Sequence, residues 1–186
     1  MGTDQATQVV IDELVGNAHG NLERVKEIVV NKPDLMNARA SWNETPLEAA
    51  TQMGNRPIIE FLLNHGAHID FFTILVLGRF DDVDRELKEH PQRAQARGIH
   101  DLPALYFAAI GGDVAVAERL LEAGAEVNAH AQAAAPIHGA VMGGSPEMVR
   151  LLLEHGADAS LKDYAERDGR GLALAINRPD IASLFD

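Results

Sequence analysis

The sequence predicts an all-α solenoid of stacked helix pairs joined by short hairpin fingers, on three observations. The run Leu151-Leu152-Leu153-Glu154-His155-Gly156-Ala157-Asp158 recurs as Leu120-Leu121-Glu122-Ala123-Gly124-Ala125 and as Leu62-Leu63-Asn64-His65-Gly66-Ala67. Glycines able to turn the chain between paired helices stand 34 residues apart from Gly20 to Gly54 and from Gly78 to Gly112, and 32 apart from Gly112 to Gly144. Apolar residues make up 46% of the chain and charged residues 24%, the balance of a folded rather than a disordered protein. A repeated unit of this size cannot bury its apolar face alone, so neighbours must stack. At 186 residues there is room for five or six units.

In the first unit, Val9, Val10, Leu14 and Val15 predict a short helix from Gln8, after a polar, frayed stretch over residues 1–7. Gly20 supplies a turn, Leu22, Val25, Ile28 and Val29 line one face of a second helix, and Pro33 stops it. Met36 to Glu44 reads as an extended finger. Thr45 is an N-cap, Pro46 occupies the first helical position and Glu48 completes a capping box. That inner helix runs to about Met53 and turns at Gly54. Its partner carries Ile58, Ile59, Phe61, Leu62 and Leu63, and Gly66 closes it in a left-handed conformation.

The third unit is shortened: Gly54 to Gly78 is only 24 residues. Gly54 to Gly66 and Gly78 to His90 each span 12, so the loss falls between Gly66 and Gly78, where the finger is missing and Asp70-Phe71-Phe72 passes into an inner helix. The fourth unit has a finger near Arg97 to Asp101, an inner helix from about Pro103 to Ile110, a turn at Gly111-Gly112 and an outer helix through Val116, Leu120 and Leu121. In the fifth, the finger spans Asn128 to Ala134, Ile137 and Val141 lie on the inner helix, and Gly143-Gly144 turns. The sixth keeps Leu172, Leu174 and Ala175 and ends in a short helix from Asp180 to Phe185, as a C-terminal cap would.

Thr45-Pro46-Leu47-Glu48-Ala49-Ala50 and Ala135-Pro136-Ile137-His138-Gly139-Ala140 resemble the ankyrin signature T-P-L-H-x-A, and Gly124-Ala125-Glu126-Val127-Asn128-Ala129 resembles its G-A-D-V-N-A tail. The resemblance runs over nearly the whole chain. It implies one ankyrin repeat domain over residues 1–186, divided near 8–37, 38–68, 69–97, 98–129, 130–162 and 163–186, the third unit lacking its finger. It also implies that His138 ties neighbouring fingers together by hydrogen bonds. A fold does not specify a job, but the resemblance implies a module that binds another protein through its concave face of finger tips and inner-helix ends. In this sequence those positions are Ser41, Trp42, Glu44, Gln52, Met53, Leu77, Ile99, His100, Asp101, Ile110, Ala131, Gln132 and Met142. Met53, Ile110 and Met142 would form an apolar stripe of adaptable side chains or pack half-buried.

Composition narrows the partner. With 16 basic against 28 acidic residues the formal charge is −12, which repels phosphate backbones and anionic membranes. A basic or neutral protein fits better, although acidity also serves solubility alone. No cysteine is present, which removes disulfides, thiolate metal sites and cysteine nucleophiles. No run of membrane-spanning length and no signal-peptide pattern is found, so a cytoplasmic location is expected, as a monomer because both terminal pairs resemble caps.

No catalytic set emerges, and nothing calls for a cofactor or metal. The eight histidines are scattered, and only His65 and His68 are close in sequence. His65 and His155 precede helix-ending glycines, where a donor side chain suits the helix C-terminus. No Gly-Lys-Ser/Thr follows the glycine pairs 111–112 and 143–144, so they are turns, not phosphate loops. The lone tryptophan, Trp42, falls at a finger tip, where it either anchors a partner or folds down over the gap left by the missing finger. Helix pairs stack roughly 10 Å apart. The gap therefore leaves either a notch between Ser41-Trp42-Asn43 and His100-Asp101, floored by Phe71, Phe72, Val76 and Leu77, or a repeat packed shut by the same phenylalanines. An open notch gives the alternative function: a small-molecule site or enzyme with His100 or Asp101 as acid or base.

Overall fold

The recurring Leu-x-x-x-Gly-Ala run is a helix terminator, and its backbone bonds show why. In the structure, a computed structural model that describes residues 4–131 and 134–186, Gly66, Gly124 and Gly156 take φ of 98°, 92° and 83°. The following alanine N–H then reaches back to the leucine carbonyl, at 3.0 Å for Ala67 to Leu62, 2.9 Å for Ala125 to Leu120 and 2.9 Å for Ala157 to Leu152. This closes carbonyls that a helix end leaves open. All three leucines are fully buried, so one short run both ends an outer helix and anchors it in the core.

Contacts divide the chain into two compact units, Met1–Thr73 and Ile74–Asp186. The first holds α1 (Gln5–Ala18), α2 (Leu22–Asn31), α3 (Pro46–Gln52) and α4 (Arg56–Asn64), with α1 packed on α2 and α3, and α2 on α4. The first helix begins earlier than its apolar pattern suggests. Asp4 accepts from Thr7 N at 3.0 Å and from Thr7 Oγ1 at 2.7 Å, so the cap starts the helix at Gln5 rather than Gln8. Its buried face is Ile11, Leu14, Val15 and Ala18, at i, i+3, i+4 and i+7, while Val9 is 61% exposed. α3 has the capping box of Thr45 and Glu48 behind Pro46. α5 (Phe71–Leu77) begins four residues after Ala67, capped by Asp70, which accepts from Thr73 N at 2.8 Å. Asp70 also accepts from the Thr73 hydroxyl at 2.7 Å, leaving Thr73 Oγ1 to accept from Thr51 at 3.0 Å. The division between the units falls within α5, after Thr73.

The second unit holds α6 (Phe80–Glu89), α7 (Ala104–Gly111), α8 (Val114–Glu122), α9 (Pro136–Gly143), α10 (Pro146–Glu154), α11 (Gly169–Ala175) and α12 (Pro179–Ala182). Inner helices α7, α9 and α11 pack in succession, as do outer helices α6, α8, α10 and α12. The glycine pairs have divided roles. Gly112 and Gly144 take the left-handed turn, at φ 79° and 71°. Gly111 instead ends α7 against its neighbour's backbone: a Cβ there would sit 2.6 Å from Val76 O. Both glycines of a pair were expected to be turn residues, but only tertiary contact explains the first.

Side-chain amides tie the ends of successive outer helices. Asn37 donates to Gly66 O at 3.2 Å and accepts from His68 N at 3.0 Å. In the second unit Asn128 does the same with Gly156 O and Asp158 N, at 2.9 and 2.7 Å. The fingers are not strand ladders. Among the described residues the one isolated antiparallel bridge joins Arg97 and Pro103. In the sixth repeat Leu172 and Ala173 are buried, but Leu174 is 50% exposed, on the outward side of the last inner helix.

Candidate partner-binding surface

In the first unit the finger is a five-residue turn, Ala40–Glu44. Ala40 N donates to Glu44 O and Asn43 N to Ala40 O, both at 2.8 Å, with Asn43 at φ 66°. Asparagine tolerates this left-handed conformation better than most residues. The turn is fastened on both sides. Asp12 of α1 accepts from Ser41 N at 2.7 Å, and Arg39 donates to Asn43 O at 2.6 Å while pairing with both Glu48 oxygens at 3.0 and 3.1 Å. Glu48 in turn caps α3. The tip is therefore held by α3, which follows it, and by α1.

That fastening brings together three of the residues expected at the surface. The Trp42 indole N–H donates to Glu44 Oε2 at 2.7 Å, and Gln52 Nε2 donates to Glu44 Oε1 at 2.7 Å. Gln52 Nε2 also lies 2.8 Å from His19 Nε2, and His19 Nδ1 lies 3.2 Å from Gly16 O. His19 Nε2 also lies 3.6 Å from Glu44 Oε2. Glu44 is 1% exposed and Gln52 8%, whereas Trp42 is 46% exposed and Met53 beside them 40%. A buried carboxylate thus holds a half-exposed indole by its N–H edge.

Two fingers of the second unit repeat the backbone. Gly98 N donates to Leu102 O at 2.9 Å and Asp101 N to Gly98 O at 3.1 Å; Asp163 N donates to Arg167 O at 2.9 Å and Glu166 N to Asp163 O at 3.0 Å. Asp101 and Glu166 take φ of 60° and 59° at the position of Asn43, and His100 is left-handed too, at 55°. Arg97 donates to Asp101 O at 3.0 Å, as Arg39 does to Asn43 O. The last finger is locked by its own ion pair. Burial opposes ionisation of Asp163, but the Arg167 guanidinium at 2.7 Å and the N–H groups of Arg167 and Ala165 prevail and hold its carboxyl below the usual range.

The remaining expected positions are not alike. His100 and Asp101 are exposed at their finger tip, and Leu77, Ile99 and Met142 are half-buried. Ile110 is buried, with its backbone against Gly143, and Ala131 is buried. Met142 accepts from the Tyr106 hydroxyl at 3.7 Å. Ile110 and Met142 therefore serve packing between α7 and α9 within this unit. Gln132 lies outside the described residues. Phe71 is buried and Phe72 half-buried, their rings edge to face at 5.9 Å. His19, Asp12 and Arg39 were not anticipated. His19 stands 34 residues before Met53, so the repeat period alone places it at the same helix-end position.

The histidines are mostly fasteners. His65 Nδ1 meets Phe61 O at 2.8 Å and His155 Nδ1 meets Leu151 O at 2.9 Å, each closing its own helix end. Buried His138 accepts from Ala135 N on Nδ1 at 3.0 Å, so Nε2 carries the proton and donates to Arg167 O of the last finger at 3.2 Å. Burial pushes its pKa below the ordinary histidine value. Among the described residues there is no group of three or more His, Asp or Glu able to hold a metal ion, and no helix is long and apolar enough to cross a membrane.

Comparison with known families agrees with this architecture. A family model described as ankyrin repeats, three copies, matches residues 85–163, and a model of the single ankyrin repeat matches residues 42–73. No curated protein matches the chain. Ankyrin repeats are in general protein–protein interaction modules and are typically not catalytic. With the two matches together covering more than half of its length, and with stacked helix pairs ended by left-handed glycines, the chain belongs to the ankyrin repeat family.

Proposed function

We propose that this chain recognises a partner protein through its finger tips and inner-helix ends, without catalysing a reaction. The observation that carries the reading is Trp42: 46% exposed, at the tip of a finger braced from both sides, with its indole N–H fixed on Glu44. Large aromatic side chains held rigidly at a surface give contact area at little entropic cost, which is why they anchor interfaces. Ser41, Gln52 and Met53 flank it in the first unit. In the second unit His100 and Asp101 offer a polar tip of the same backbone.

Affinity capture from lysate of the source cell, with the wild-type chain and Trp42→Ala side by side, tests the reading, followed by calorimetry against each captured protein after purification. Wild type should bind one of them directly, and Trp42→Ala should bind it at least tenfold more weakly while keeping its far-UV circular dichroism. Undiminished binding by the variant would remove the first finger from the interface.

A further inference from the structure

We propose that Trp42 and Glu44 form a subsite for a cationic side chain, a lysine or arginine, presented by the partner protein. This inference rests on the interaction reading above and names the chemistry it selects. Trp42 is 46% exposed, the face of an indole carries the negative lobe of the ring quadrupole, and tryptophan attracts cations best among the aromatic residues. Its N–H donates to an anion at 2.7 Å. Donation to a carboxylate pushes electron density into the ring and strengthens that attraction.

The charge behind the ring is built in rather than incidental. Glu44 is 1% exposed, and the Trp42 indole and Gln52 amide that donate to it are neutral groups that stabilise the carboxylate, with the His19 imidazole 3.6 Å from Oε2. Burial keeps water from screening the carboxylate. Asp12, held to Ser41 N, adds a second carboxylate at the same tip. Among the described residues no aromatic ring or cation is stacked on Trp42, and Met53, next in sequence to Gln52 and 40% exposed, is an apolar side chain suited to the alkyl stem of a long basic residue. The chain's formal charge of −12 favours approach of a basic partner at long range.

The test uses the full chain and four labelled peptides, Gly-Ser-Ala-X-Ala-Ser-Gly, with X as lysine, arginine, norleucine or citrulline, followed by fluorescence anisotropy. The last two copy the shapes of the first two without the charge. Lysine and arginine peptides should bind about two- to fivefold tighter than their neutral copies, the range a half-exposed cation–aromatic contact supplies. That preference should vanish in Trp42→Leu and shrink in Glu44→Gln, both checked for fold by circular dichroism. Equal binding of charged and neutral peptides, a preference that persists in Trp42→Leu, or no binding of any peptide would overturn the subsite. If the captured partner still depends on Trp42 in that case, the interaction reading stands without it; if not, both fail.

Discussion

The fingers Ala40–Glu44 and Gly98–Leu102 share a backbone and differ in what they carry. Each is closed by a bond from its first N–H to its fifth carbonyl, each has a left-handed fourth residue, and each is braced by an arginine to the fourth carbonyl. At the third position one carries Trp42 and the other His100. At the fifth, buried in both, one has Glu44 and the other Leu102, each at most 2% exposed. An aliphatic fifth residue anchors a finger by burial alone. A carboxylate there is costly unless it has donors, and it has them in Trp42 and Gln52. The first finger accepts a less economical base and in return orients an exposed indole.

The comparison can be broken most severely by exchanging the bases. Leu102→Glu places a carboxylate where the native finger supplies a leucine environment, and it should destabilise the chain by about 3–5 kcal/mol in urea unfolding. The reverse change, Glu44→Leu, leaves the Trp42 and Gln52 donors without their acceptor. It should cost about 1–3 kcal/mol and shift Trp42 fluorescence as the ring is released. If Glu44→Leu stabilises the protein instead, the carboxylate is maintained for recognition alone.

The left-handed fourth position gives a smaller effect that should be the same in every finger. Asn43→Val, Asp101→Val and Glu166→Val should each cost about 1–2 kcal/mol, and the matching glycine variants should be neutral or slightly stabilising. A large difference between fingers would mean that side-chain contacts, not backbone, hold the turn.

The smallest effect depends on pH. The last finger is held by a direct bond from a buried histidine to its backbone, His138 Nε2 to Arg167 O. The folded pKa of His138 lies below its ordinary value of 6.5. The unfolded chain therefore takes up the proton first, so this contribution is complete above pH 6.5 and is lost as pH falls through the folded value. Protection of amides near Lys162–Arg167, measured as exchange relative to the intrinsic rate at each pH, should fall between pH 7.5 and 5, and His138→Gln should flatten that dependence.

Much of this was legible in the residues, and particular positions show why. Thr45-Pro46 with Glu48, Gly66, Gly112 and Gly144 act through the backbone within a few residues, so the cap and turns follow from local chemistry. The start of α1 was missed because an apolar pattern marks a buried face, while Asp4 begins the helix through a hydrogen bond that hydrophobic spacing does not register. Trp42 and Glu44 were candidates by position alone. That they bond to each other, with Gln52 and His19 joining, depends on residues as far as 33 positions apart and could not be read from spacing.

By itself the sequence determined the helix pairs, their terminators and the family, because those rest on short-range backbone constraints repeated at a fixed period. Tertiary structure alone decided which glycine of each pair admits a neighbouring helix, which methionine packs and which faces solvent, and which carboxylates are buried with their donors. Those outcomes depend on the distance between elements remote in sequence, and burial and electrostatic strength both follow that distance.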